Sequence, residues 1–301
     1  MKFVKPDVIL IEEKNPLIKI EKVGRLCYKS ESEYTKESAT KFVQTLIEKK
    51  HTAMLEHANF VFEVKAKHLE VYYDYLLSFK YLNVNYNQEQ ERILVSGNVR
   101  AINESGINFL LNELKINNYH DLVYVDYCLD LEADPIEIKL INNLNELEGL
   151  TEEEKKTHSY MSLHFICDRG ISHELVRHRV SSFAQESTRY CNYSKDKFGN
   201  ELTCILPFWF KEDENPEAYS NFICAMNDAE YHYFELINLG YVAQEVRGVL
   251  PTSLKTEIVL TMNFYNWDKF FNLRYFGTTG KPHPQMLEVA TIAYKAYKEL
   301  E

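Results

Sequence analysis

Residues 177–190 read RHRVSSFAQESTRY, which sets three arginines, a histidine and a run of hydroxyl side chains in one short stretch of an otherwise acidic chain. The chain holds nine arginines against twenty-five lysines, so lysine does the ordinary surface work. Four of the nine (Arg169, Arg177, Arg179 and Arg189) fall within twenty-one residues, where even scattering would place fewer than one. Such a knot predicts an anion site. Arginine's planar fork holds a phosphate or an imide edge in a fixed geometry that lysine lacks, so the expected ligand is phosphorylated and planar.

Working outward, 301 residues with 45% hydrophobic and 13% aromatic content can bury a large core. A net charge of −11 argues against a general affinity for nucleic acid or an anionic membrane, which need a broad basic face. The ligand is therefore expected to be small. The start, MKFVKPDVILIEEKNPL, is broken by Glu12 and Glu13 too early for a secretory signal, and no run is long enough to span a bilayer. A cytoplasmic location follows as an expectation. The six cysteines (27, 128, 167, 191, 204 and 224) have no CxxC spacing and read as reduced, mostly buried thiols.

Residues 17–30 read as a strand and turn, 35–49 as an amphipathic helix led by Thr35 or Glu37, and 57–64 (HANFVFEV) as a strand. From 65 to 157 the composition becomes first Tyr- and Asn-rich and then acidic, and this stretch reads as an insertion with a solvated tail. Met161, Leu163, Phe165 and Cys167 alternate along a strand over 158–167. Asp168-Arg169-Gly170 turns the chain, and a helix follows from Ile171 to about Val180, capped by Ser172, with the knot on its final turn. Gln185, Ser187 and Arg189, two apart, are expected to face one side of an extended segment. Helices are predicted over 214–239, 244–247, the stretch ending at Arg274, and 284–300, with a strand at TEIVLTMNF.

Arg25, Arg92 and Arg169 taken singly read as salt-bridge partners. His178 between two arginines reads as a neutral, hydrogen-bonding ring. HELVRH spaces its histidines five apart, about 140° round a helix, so no zinc site is expected. HTAMLEH (His51, Glu56, His57) admits two readings, a ligand-bearing block or a polar helix-to-strand corner. Cys191 follows Arg189 by two residues but has no evident paired base, and reads as inert. Neither GxGxxG nor GxxxxGK[ST] occurs, so side chains must hold any nucleotide.

RHRVSSFAQESTRY resembles the RHRxxSxxxxSxRY motif of the flavin-dependent thymidylate synthases. HTAMLEHANFVF, VRGVLP, the stretch from Asn263 to Arg274 and PHPQMLEVA resemble further blocks of that family. The resemblance implies an α+β fold, a mixed sheet flanked by helices, in a single domain over 1–301 that carries the 65–157 insertion. It implies reductive methylation of dUMP to dTMP, with FAD as cofactor and NADPH and methylenetetrahydrofolate as co-substrates. It further implies a homotetramer with sites across subunit interfaces and no cysteine nucleophile. Carried over, Glu174, Arg177, Gln185, Glu186, Ser187, Arg189, Arg247 and Arg274 would line the dUMP site, with Arg274 the catalytic group that helps ionise N3 of the uracil. His51, Glu56, Arg177, His178, Arg179, Gln185, Asn263 and Lys269 would hold FAD. Tyr265 stands where many members have an arginine, Ala184-Gln185 replaces the commoner Asn-Glu, and Ala53 replaces a hydroxyl residue. Arg100 is a candidate to replace the missing guanidinium, against the plainer reading of a surface helix start. A flavin- or nucleotide-binding protein without turnover, and a nucleotide-sensing module without flavin, are the alternatives.

Overall fold

The computed structural model describes residues 1–30, 33–125, 135–195 and 198–300. Two four-stranded sheets and a small parallel pair make up an α+β fold. The first sheet runs in the order β2 (Asp7–Leu10), β7 (Tyr160–Asp168), β10 (Lys255–Asn263), β8 (Ser182–Gln185), antiparallel throughout. Its two longest strands, β7 and β10, are paired from Lys255 opposite Asp168 to Asn263 opposite Tyr160. The expected alternation in β7 holds: Met161, Leu163, Phe165 and Cys167 are buried together with Ile258, Leu260 and Met262 of β10. Helices α10 (Phe264–Arg274) and α11 (Pro284–Leu300) close that face with Trp267, Phe271, Met286 and Val289. The reverse face packs Val259 and Ala184 against Val23.

Val23 lies on a helix. Residues 17–30, read from sequence as a strand and turn, instead form α1 (Pro16–Leu26) and its terminal turn. The start signals outweigh the β-branched residues there. Asn15 Oδ1 accepts from the backbone N–H of Leu17 at 3.0 Å and Ile18 at 3.3 Å, and Pro16 takes the first helical position, where no N–H is needed. Leu17, Ile20 and Val23, three apart, are all buried. Asn15→Ala is expected to cost about 1 kcal/mol, read as a lower urea midpoint at unchanged slope.

The second sheet has the order β4 (Asn83–Asn87), β5 (Arg92–Asn98), β3 (Asn59–Ala66), β6 (Ile136–Leu140). Thus 65–157 supplies three strands that complete a sheet around β3. The same stretch holds α3 (Leu69–Leu77), α4 (Val99–Ser105), α5 (Asn108–Ile116) and α6 (Glu152–His158). Its acidic end is only partly the solvated surface expected. Glu152 and Glu153 are exposed, but Glu154 is buried in a capping box, where its Oε2 accepts from Thr151 N at 2.8 Å. α2 (Lys36–Glu48) is capped by Thr35 as its sequence predicts. β1 (Lys2–Val4) pairs with β9 (Thr203–Ile205), and α8 (Pro216–Asn238) and α9 (Ala243–Val246) follow close to their predicted places.

Two expectations around the knot fail. The helix before it, α7 (Arg169–Leu175), starts and ends earlier than predicted. Asp168 caps it, its Oδ1 accepting from Ile171 N at 2.7 Å, while Ser172 lies inside and donates to Arg169 O. The knot therefore lies in a loop beyond the helix. After Gln185 the strand gives way to a turn in which Tyr190 and Cys191 donate N–H to Ser187 O, so Gln185, Ser187 and Arg189 do not share an extended face. Among the described residues, Arg25 pairs with Glu21 and Arg92 with Glu63, but Arg169 forms no ion pair and its Nη1 is buried without a partner. No described helix is long and apolar enough to cross a membrane.

Candidate active site

α7 and α10 meet at the best-defined pair of predicted site residues. Arg274, the last residue of α10, donates from Nη1 to Glu174 Oε2 at 2.7 Å and from Nη2 to the Glu174 carbonyl at 3.4 Å. Both side chains are about a quarter exposed, so the guanidinium is oriented yet still reachable. The same Glu174 carbonyl accepts the Arg177 N–H, which ties the first residue of the knot to this pair.

His178 is buried, its ring edge-on to Phe270 with centroids 5.4 Å apart, and its Nε2–H donates to the Asn266 carbonyl at 3.2 Å. Its pKa lies below the ordinary histidine value, chiefly through burial and further through the charges of Arg274 and Lys269, although the carbonyl bond opposes the shift. The neutral ring was expected. Its cause was not, because the flanking arginines point elsewhere: Arg177 and Arg179 are exposed, and among the described residues neither meets a carboxylate.

The remaining candidates do not gather in one place. Gln185 donates to Ser172 Oγ at 2.9 Å and Thr256 Oγ1 at 3.2 Å, which places it on the α7 side of the sheet. Glu186 turns to the opposite side, buried beside Lys255 at 3.3 Å and the Tyr193 hydroxyl at 3.4 Å. Ser187 Oγ caps the turn by accepting Arg189 N, and Arg189 donates to Gln244 at 3.2 Å and lies over the Tyr190 ring. Arg247 is exposed in the short turn after α9. Asn263 is spent on structure: its Oδ1 accepts from Asn266 N, and its Nδ2 donates to Thr157 O at 2.9 Å. Lys269 stacks its ammonium on Tyr265, 4.1 Å from the ring centroid.

In the HTAMLEH block His51 is exposed, Glu56 pairs with Arg100 at 2.9 Å, and His57 is fully buried with Nδ1 2.8 Å from Thr261 Oγ1. Arg100 is thus held at the block that carries the predicted flavin residues Glu56 and His51, and it also pairs with Glu104 at 2.7 Å. Within the block, His57 forms a buried polar corner and Glu56 faces the Arg100 cation.

One cluster escaped the sequence reading. Glu257 accepts from His164 Nε2 at 2.9 Å and from Lys255 at 2.6 Å, and also pairs with Lys29. Burial alone would raise its pKa, but the His164 hydrogen bond and the two ammonium groups prevail and hold it far below the carboxylate range. No contiguous motif could reveal residues at 29, 164, 255 and 257. The available signal was register, since His164 and Val259 pair across β7 and β10 on the face opposite the main core.

The sequence profile of the thymidylate synthase complementing protein family matches residues 9–72 and 137–301. The chain belongs to that family. The family match spans every candidate site residue except Arg100 and passes over 73–136. Named relatives include flavin-dependent thymidylate synthases of Pyrococcus furiosus, 32% identical over 134 residues (44% of this chain, 51% of the relative), and Thermococcus onnurineus, 35% identical over 108 residues (36% and 42%). A third, from Geobacter sulfurreducens, is 35% identical over 106 residues (35% and 43%). The chain spans about half the length of the relatives it matches. Among solved structures, a UMP/dUMP methylase PolB from Streptomyces cacaoi bound with 5-Br dUMP aligns with 100% of this chain and 93% of its own, at 13% identity and a TM-score of 0.45.

Proposed function

We propose that this chain methylates dUMP reductively to dTMP, taking the carbon from methylenetetrahydrofolate and the reducing equivalents from NADPH through FAD. The observation that carries this reading is the Arg274 fork, oriented by Glu174, whose carbonyl also accepts the Arg177 N–H at the start of a loop that exposes Arg177 and Arg179. These groups fit the cofactor and substrate: a flavin nucleotide and dUMP both bring phosphates, and free guanidinium groups are the donors phosphates need. FAD, when bound, supplies the hydride chemistry that amino-acid side chains lack. Arg177, His178 and Arg179 would hold it, with His51, Glu56, Gln185 and Lys269 at its margins, and Asn263 would contribute through the backbone turn it caps.

On this reading the dUMP phosphate falls to Arg189 and Arg247, and Gln185, Glu186 and Ser187 line the nucleotide site. Arg274 faces the uracil imide, where its positive charge favours loss of the N3 proton and raises electron density at C5, the carbon that must attack. Glu174 acts by holding the fork in place. The exposure of Arg177, Arg179, Arg189 and Arg247 suits a site closed by another subunit, in keeping with a homotetramer. We place the enzyme in the cytoplasm as a single domain over 1–301 with the insertion at 65–157. Titration of the purified protein with FAD and then dUMP tests the proposal. A flavin spectrum that shifts on adding dUMP, followed by dTMP release, is expected; no flavin uptake at all would refute it.

The thiols bear on the route. Cys128 lies outside the described residues. Cys191 is fully buried, burial raises the Cys27 thiol to about 11 and the Cys204 thiol to about 12, and it raises Cys167 as well. Cys224 is exposed and sits on α8. Among the described residues, Cys27, Cys167 and Cys204, raised by burial, offer no ready thiolate to attack C6 of the uracil. Cys191→Ser is therefore expected to retain dTMP formation within about threefold, less than one pKa unit's worth of free energy. A folded, flavin-loaded variant that makes no dTMP would show the transfer to run through a thiolate.

A further inference from the structure

Where the two four-stranded sheets meet, a cavity of about 380 Å³ lies between α1, the start of β3 and the chain just after β6. Lys19 enters it from α1. Other inward-facing lysines have acidic partners: Lys255 meets Glu186 and Glu257, Lys29 meets Glu257, and Lys156 meets Asp268. Among the described residues Lys19 has no ion pair and no hydrogen bond, and burial alone acts on its pKa, lowering it to about 8. In the same lining, Asn59 carries an Nδ2 that is buried without a hydrogen-bond partner. A largely shielded ammonium and a buried amide nitrogen are both expensive to leave unmatched, and here the two residues that bear them line one space.

The rest of the lining shows what the space lacks. His158 is occupied on both ring nitrogens, by Ser96 at 2.8 Å and Asn85 at 3.0 Å, and the Tyr160 hydroxyl is taken by Asn83 and Ser96. Lys14, exposed, adds a second ammonium to the lining, and Asn142 adds another amide. Lys19 and Lys14 also line an adjoining surface hollow whose acidic groups are Glu13, which pairs with Lys22 at 2.8 Å, and the exposed Glu12. The cavity itself offers donors and positive charge without a carboxylate.

We propose that this cavity is an anion site in which a phosphate or carboxylate group of a small molecule lies against the Lys19 ammonium and accepts from the Asn59 amide. It shares no residue with the arginine knot, so it stands whether or not the methylation reading does.

The test uses the intact protein with its lysines reductively 13C-dimethylated, which preserves their charge, and the Lys19 resonance assigned by its loss in Lys19→Arg. Inorganic phosphate and glutarate, titrated separately, distinguish the two anion classes. The Lys19 signal is expected to shift saturably with one of them, and its titration midpoint to rise from about 8 by about one pH unit, the equivalent of tenfold coupling. By calorimetry, Lys19→Met is expected to weaken binding of that anion about tenfold or more. Failure of the Lys19 signal to respond to both anions, or a Lys19→Met isotherm matching the parent protein's, would overturn the proposal. The resonance measurement decides the matter even if Lys19→Met fails to fold.

Discussion

Replacing Arg274 by lysine is expected to slow dTMP formation by about two to three orders of magnitude while dUMP binding stays measurable. Lysine keeps the positive charge but not the fork that reaches Glu174 Oε2 at 2.7 Å and the Glu174 carbonyl at 3.4 Å while leaving an edge free for the imide. A single ammonium satisfies Glu174 first and leaves little to stabilise an N3 anion. The loss is expected in kcat, because the charge that Arg274 offers is most useful after the proton has left. Steady-state assays beside equilibrium dUMP titration separate the two quantities. Unchanged turnover would remove Arg274 from the chemistry and leave it a surface partner of Glu174.

A second large effect is expected on acidification. Burial lowers the pKa of His57 to about 3 and that of His158 to about 4, against an ordinary value of 6.5. Between 6.5 and 4 the unfolded chain binds protons at both rings while the folded protein does not, so stability is fully present above 6.5 and falls as the pH drops through that window. From pH 7 to pH 5 the two rings together are expected to cost about 4 kcal/mol of unfolding free energy. His178, also shifted down, acts in the same direction. Glu257 joins only below its unfolded value of 4.5, so the upper part of the window belongs to the histidines. Urea unfolding at the two pH values measures the difference. His57→Gln is expected to flatten the dependence by about half, and a stability independent of pH over this range would mean that both rings titrate normally.

How much could be read in advance depended on whether the deciding interaction was local. β7 and β10 announce themselves by alternation, and α2 by Thr35 and its spacing, because those signals lie within a few residues of the structure they specify. α1 was misread. Its apolar residues suit either period, and the Asn15-Pro16 start settles the matter in favour of a helix. α7 begins earlier than its sequence predicts because Asp168, in the expected turn, is the residue that caps it, while Ser172 lies inside the helix. The candidate site divides the same way. Arg177 to Arg179 and Arg274 could be named from sequence, but the pairing of Glu174 with Arg274, one hundred residues apart, is made by helix packing. The Glu257 cluster, assembled from four distant positions, left no local mark.

β3 pairs on one side with β5 and on the other with β6, both supplied by the stretch between 65 and 157. That stretch is consequently no detachable ornament. A shortened chain from which it had been cut would keep β3 with two open edges, and Phe60, Phe62 and Val64, now fully or almost fully shielded, would lose their cover. Bare strand edges bearing such side chains recruit one another, so trimming would yield insoluble aggregates rather than a smaller enzyme.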